Sequence, residues 1–187
     1  KELDLVTADK KDSTGICFIG ERNFSKFLEN YLPNQNGKIV NIETNEVIGD
    51  HIGLMHYTIG QRRGLNIGGT TERMFVCGKD LTNNILYICI GDDNEYLFTD
   101  SAIIEDVNWL SDVKPNECMA KFRYRQNDNP VSLEYLDDGK ILVKYPQKIK
   151  AVTPGQACVL YLDDLCLGGG IISEVRKNNK KLWKFIK

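Results

Sequence analysis

The hydrophobic positions of the chain read as one short helix followed by a long series of strands. Phe24, Phe27, Leu28 and Tyr31 fall at i, i+3, i+4 and i+7 behind Asn23, a residue type suited to cap a helix, so a short helix is expected near the amino terminus. Pro33 and the run Asn34-Gln35-Asn36-Gly37 end it. Residues 1–22 carry no strong periodicity and read as an extended or looping segment. From Lys38 the rhythm changes: Lys38-Ile39-Val40-Asn41-Ile42 predicts a strand, and residues 49–69, with six glycines, predict a compact, turn-rich segment. Met74–Gly78 and Ile85–Ile90 predict a hairpin through the turn residues between them.

After Gly91-Asp92-Asp93-Asn94 short strands follow at regular spacing, near 102–109, 117–125, 131–136, 140–145, 156–162 and 166–174, with turn-forming residues between them and no helical pattern. That spacing points to an antiparallel sandwich or barrel. A domain boundary is therefore placed near residue 94. The expected fold is mainly β: a small central α/β domain, then an antiparallel six-stranded β-barrel, with the short helix near the amino terminus.

Composition narrows the class. Of 187 residues, 42% are hydrophobic and 27% charged, as in a soluble globular protein. No apolar run approaches the length of a membrane span, and the start, Lys1-Glu2-Leu3-Asp4-Leu5, lacks the apolar centre of a signal peptide, so a cytoplasmic location is expected. The absence of an initiator Met suggests a chain that begins inside a longer one. Six cysteines are scattered without a Cys-x-x-Cys pair, which argues for reduced thiols rather than a disulfide framework. With two histidines, His51 and His56, and no local Cys/His cluster, no metal site is expected.

A formal net charge of −2 argues mildly against a dedicated nucleic-acid domain, but the positive charge is concentrated. Lys121, Arg123 and Arg125 alternate in an expected strand and would share one face, opposite Ala120, Phe122 and Tyr124, a stripe suited to a phosphate backbone or simply to solvent. Gly60-Gln61-Arg62-Arg63-Gly64 is a basic turn, which can fork onto phosphate, cap a helix or tie domains together. The lysine-rich tail from Arg176 to Lys187 reads as a solvated terminus. Cys17, between Gly15 and Gly20, could be a reactive thiol on a loop or a buried one beside Ile16, Phe18 and Ile19. Leu167-Gly168-Gly169-Gly170 is no phosphate loop, since no Lys-Ser/Thr pair or helix follows; a bulge or tight barrel bend is expected instead.

Taken together, Asp12–Arg22 (DSTGICFIGER), Tyr57–Leu65 (YTIGQRRGL), Gly78–Leu81 (GKDL), Lys121–Gln126 (KFRYRQ), Ala151–Gln156 (AVTPGQ) and Cys166–Ile172 (CLGGGII) resemble the tRNA-specific 2-thiouridylases, in that family's order and at its approximate spacing. The resemblance implies a carboxy-terminal half: residues 1–22 would be the tail end of a nucleotide-binding catalytic domain, 23–94 a small central domain and 95–187 the barrel. The pyrophosphate loop and first catalytic cysteine of the family have no match in this sequence. The family reaction, as the resemblance implies it, sulfurates C2 of the wobble uridine in lysine, glutamate and glutamine tRNAs: ATP adenylates the C2 oxygen, and a persulfide on a second catalytic cysteine brings the sulfur. That cysteine maps onto Cys17, and Arg123, Tyr124 and Gln156 map onto residues that touch tRNA. ATP would be bound outside this chain, and a cysteine desulfurase or sulfur-relay protein would load Cys17. The chain alone is expected to be monomeric and inactive. The alternatives are a stand-alone RNA-binding β-barrel module without catalysis and a purely structural domain.

Overall fold

The structure is a computed structural model in which residues 30–68, 72–124 and 126–181 are described. The chain divides between residues 34 and 35 into two units, and the described residues fall almost wholly in the second. The helix expected behind Asn23 lies outside the described residues except for its end at Tyr31, so the account below concerns the second unit.

The regular structure of that unit is nearly all strand, as the alternating pattern predicts, and forms two sheets. The first holds β1 (Gly37–Asn41), β2 (Val47–His51), β3 (Met74–Asp80) and β4 (Ile85–Ile90) in the order β2-β1-β4-β3. β1 runs parallel to β4 while the other pairs are antiparallel. The central strands are covered on both sides. Val76, Leu86 and Ile88 join Ile39, Tyr57, Ile59 and Leu65 in one apolar cluster. Their neighbours Phe75, Cys77 and Cys89 join the cluster that fills the barrel. Strands buried on both faces read as continuous apolar runs, which is how Met74–Cys77 and Ile85–Ile90 appear in the sequence.

The second sheet holds β5 (Phe98–Trp109), β6 (Glu117–Lys121), β7 (Asn129–Tyr135), β8 (Ile141–Lys150), β9 (Ala157–Leu162), β10 (Leu165–Lys177) and the short β11 (Lys180–Lys181). Its order is β11-β10-β5-β8-β7-β6-β9, and β9 also pairs with β10, which closes six strands into an antiparallel barrel. Alternate residues point inward: Cys118 and Ala120, Val131 and Leu133, Ile141 and Val143, and Cys158 and Leu160 are all buried. Tyr145 also points inward, its hydroxyl 2.6 Å from Thr99 Oγ1, which satisfies a polar atom that would otherwise be stranded in an apolar core.

The glycine run is the barrel bend that its sequence implies. At Gly168 (φ +135°) an added Cβ would lie 2.2 Å from the Asn108 carbonyl oxygen, and at Gly169 one would lie 2.3 Å from that of Cys158. Here β10 is squeezed between β5 and β9, with register shifts on both sides. No side chain fits between backbones that close.

Several strands depart from the sequence reading. β2 was not expected as a strand, and its last three residues fell in the turn-rich segment 49–69, because Val47-Ile48-Gly49-Asp50-His51 has little alternation and pairs with β1 alone. β5 and β8 run longer than 102–109 and 140–145. Their pairing continues past a register shift between Thr99 and Ser101 to Phe98 opposite Lys150. β6 ends at Lys121 rather than near residue 125.

Candidate nucleic-acid interface

The early end of β6 has a local cause. The Gln126 side chain accepts the Phe122 amide at 2.9 Å, and the Gln126 amide donates to the Arg123 carbonyl at 3.2 Å, which turns the chain over residues 122–126. Strand alternation therefore stops at Lys121, and the expected stripe of Lys121, Arg123 and Arg125 does not continue as a strand face. Lys121 pairs with Asp128 at 3.5 Å and lies 5.3 Å over the Tyr161 ring. Phe122 is buried, whereas Tyr124 is 74% exposed. The turn thus removes the conflict in which alternation would have sent Tyr124 inward. Arg125 lies outside the described residues.

Arg123 is half-buried, and its Nη2 donates to the Ile59 carbonyl at 2.8 Å and to Thr153 Oγ1 at 3.3 Å. Burial lowers its pKa from the ordinary value, although a guanidinium remains charged. One planar group thus joins two loops from different sheets, a task for which its forked donors are suited.

The first loop is Tyr57–Leu65. It is fixed to β3 by hydrogen bonds from the Gly60 amide to the Val76 carbonyl (2.7 Å) and from the Val76 amide to the Gln61 carbonyl (2.9 Å). Gln61 closes its own turn from both sides. Its Oε1 accepts the Thr58 amide at 2.9 Å, and its Nε2 donates to the Arg63 carbonyl at 2.9 Å. Gly60 (φ +82°) lies so near the second loop that an added Cβ would sit 2.7 Å from Ala151 Cβ. Arg62 and Arg63 are exposed on this braced turn.

The second loop is Ala151–Gln156. Thr153 Oγ1 donates to the Ala151 carbonyl at 2.9 Å, and the Gln156 amide donates to the Thr153 carbonyl at 3.2 Å. The loop is anchored to β10 by hydrogen bonds between Gly155 and Ile172 and between Ile172 and Gln156, each 2.8 Å. Gln156 itself is exposed. Three of the strings singled out in the sequence, around Tyr57–Leu65, Lys121–Gln126 and Ala151–Gln156, therefore meet at the Arg123 guanidinium. The sequence reading named Arg123 and Gln156 but not their organising partners, the Ile59 carbonyl and the Thr153 hydroxyl. A backbone acceptor carries no side-chain signal.

Cys17 lies outside the described residues. Burial makes two of the barrel cysteines poor nucleophiles, whereas the thiol of Cys89 is lowered from its ordinary value by its hydrogen bond with Cys77. Burial pushes the thiol of Cys118 up to about 11 and that of Cys158 up to about 12. Cys77, fully buried, is raised further by its hydrogen bond with Cys89 and by burial. A thiolate is required for sulfur chemistry, so these groups suit packing. A hollow of about 740 Å³ is lined by Cys118, Met119, Val131, Tyr145 and Leu162 together with Glu117, Ser132, Lys144 and Asp163, and none of the loop residues above lines it. Among the described residues no group of three His, Cys, Asp or Glu side chains is placed to hold a metal ion. No helix among them is long and apolar enough to cross a membrane.

Residues 25–90 match the family described as tRNA methyl transferase PRC-barrel domain, and residues 99–172 match the aminomethyltransferase beta-barrel domain. A tRNA-specific 2-thiouridylase of Mesoplasma florum is 55% identical over 181 residues, covering 93% of this chain and 48% of the relative. That of Mycoplasma capricolum is 52% identical over 183 residues (94% and 49%), and that of Geobacillus thermodenitrificans 55% over 186 residues (98% and 50%). The chain belongs to the tRNA-specific 2-thiouridylase family. It spans about half the length of the curated relatives it matches.

Proposed function

We propose that this chain is the carboxy-terminal half of an enzyme that makes 2-thiouridine at the wobble position of tRNA, and that it supplies the persulfide cysteine and part of the tRNA-binding surface. The observation that carries the reading is the convergence of Tyr57–Leu65, Lys121–Gln126 and Ala151–Gln156 on one guanidinium, in a chain about half identical to tRNA-specific 2-thiouridylases over nearly all its length. Exposed Tyr124 follows Arg123 in sequence, and exposed Gln156 lies on the loop of Thr153, which the same guanidinium contacts. An aromatic face, an amide and a cation together suit RNA, whose bases stack and whose phosphates attract charge. Three parts are carried by 1–22, 23–94 and 95–187: the end of a catalytic domain, a central domain and the barrel.

In the proposed reaction ATP, held by the nucleotide-binding domain outside this chain, adenylates the C2 oxygen of uridine and makes it a leaving group. The terminal sulfur of a Cys17 persulfide attacks C2, and AMP departs. A second cysteine thiolate outside this chain then attacks Cys17 Sγ. The S–S bond to the substrate breaks, 2-thiouridine is released, and the two cysteines are left as a disulfide that an external thiol must reduce. The elevated thiols of Cys118 and Cys158 support placing this chemistry elsewhere than in the barrel. The substrates are lysine, glutamate and glutamine tRNAs, and the sulfur donor is a cysteine desulfurase or relay protein. The enzyme acts as a cytoplasmic monomer.

The test is 2-thiouridine formation by the full-length enzyme on unmodified glutamate tRNA with ATP and a persulfide source, with and without Cys17→Ser. Loss of product with tRNA binding retained is expected. Product at the wild-type rate would overturn the role of Cys17 and leave a non-catalytic RNA-binding module as the better account.

A further inference from the structure

Of the cations at the meeting of the three loops, Arg123 is committed to holding loops together, and Lys121 is committed to Asp128 and the Tyr161 ring. Arg62 and Arg63 differ from both. They are exposed, and neither has an ion-pair partner among the described residues. Their turn is braced at several backbone positions on either side. Gln61 holds Thr58 and the Arg63 carbonyl, β3 holds Gly60 and Gln61, and Arg123 holds Ile59. A basic turn in the sequence could have served to tie domains together. The structure gives that task to Arg123 and leaves the two turn arginines directed to solvent.

We infer that Arg62 and Arg63 form a phosphate-binding site that grips the sugar–phosphate backbone of the RNA substrate on the face organised by Arg123. This rests on the tRNA reading above and adds two contact residues to it. The physical case is preorganisation. An arginine on a mobile loop loses backbone freedom on binding, whereas this turn is already fixed, so only side-chain rotamers need be ordered. Guanidinium groups donate two parallel N–H bonds to a phosphate, and two adjacent arginines on a rigid turn can meet neighbouring phosphates. Such contacts position the RNA without reading its sequence.

The experiment uses the full-length enzyme and measures unmodified glutamate tRNA binding across a salt series for wild type, Arg62→Gln/Arg63→Gln and a charge-matched control, Lys140→Gln/Lys144→Gln. The control removes two lysines, one half-buried and one exposed, already paired with Asp138 and Glu134. Each lost phosphate contact lowers the slope of log affinity against log salt by about 0.9. The arginine variant is therefore expected to lose nearly two units of slope. Its deficit relative to wild type should shrink about tenfold between about 50 and 200 mM salt. The control keeps the wild-type slope, and both variants keep the wild-type unfolding midpoint. A wild-type slope in the arginine variant, or an equal loss in the control, overturns the site while leaving the tRNA reading intact. Wild-type enzyme that binds no tRNA overturns both.

Discussion

Arg123 Nη2 donates to the Ile59 carbonyl at 2.8 Å across 64 positions of sequence, and the same nitrogen reaches Thr153 Oγ1 at 3.3 Å. A hydrogen bond from a charged donor in a half-buried position contributes about 1.5–3 kcal/mol. Arg123→Ala should therefore lower unfolding free energy by about 2 kcal/mol. It should also speed hydrogen exchange at the Gly60 amide, whose bond to Val76 depends on the loop staying in place. Arg123→Lys keeps the charge but not the planar fork, and an intermediate loss is expected. Denaturant unfolding and amide exchange would measure both. An unchanged Gly60 exchange rate in Arg123→Ala would mean that the loops hold without the guanidinium.

His51 is almost completely buried with a defined tautomer. Its Nδ1 accepts the Gly53 amide at 3.1 Å, so the proton sits on Nε2, 3.1 Å from the Asn84 carbonyl oxygen. Desolvation lowers its pKa below the ordinary 6.5, outweighing the Asn84 hydrogen bond and Asp50, both of which raise it. In the unfolded chain His51 takes up a proton near pH 6.5, while the folded chain resists until a lower pH. His51 thus contributes its full stability above pH 6.5, and this is lost as pH falls through the window beneath it. Unfolding free energy measured from pH 8 downward should show a decline setting in near pH 6.5 that His51→Gln lacks. A parallel decline in both proteins would assign it to carboxylates instead.

The barrel was legible because its strands are buried on one face and wet on the other. Cys118-Met119-Ala120, Val131-Ser132-Leu133 and Ile141-Leu142-Val143 announce both their state and their inward residues. The glycine run was legible because close backbone approach excludes every other residue. β2 was not, since an edge strand containing Gly49 and Asp50 makes few demands on its side chains. The parallel pairing of β1 with β4 was hidden as well, because it joins positions nearly fifty apart with no local signature. At the candidate site the residues came from family likeness and from runs of charge. Their arrangement depended on Gln126 ending β6 and on Arg123 finding a carbonyl in another sheet, neither of which alternation encodes.

Thiol reactivity should separate the described cysteines into two groups. Cys77, Cys89 and Cys158 are fully buried, and Cys118 nearly so, whereas Cys166 is partly exposed. Under native conditions an uncharged alkylating reagent should modify Cys166 well before the other four, which should react only as fast as the barrel opens. Peptide mass mapping over a time course reads this directly. Early labelling of Cys118 would show that the neighbouring hollow admits reagents to the barrel interior.

Two glycines with positive φ should respond very differently to a methyl group. Gly155 (φ +84°) faces open space, so Gly155→Ala pays only for its backbone conformation, about 1 kcal/mol. Gly168 (φ +135°) would drive a Cβ to 2.2 Å from the Asn108 carbonyl oxygen and 2.9 Å from the Trp109 Cα, both backbone atoms of the strand it pairs with. Neither can step aside without opening the β5–β10 seam. Gly168→Ala should therefore cost more than about 3 kcal/mol, since it adds overpacking to an unfavourable φ. Comparing the unfolding midpoints of the two variants isolates the packing contribution, because both carry the conformational penalty. Equal shifts would mean that the seam yields to a methyl group, and that the glycine run is needed for its backbone freedom rather than for the closeness of the strands.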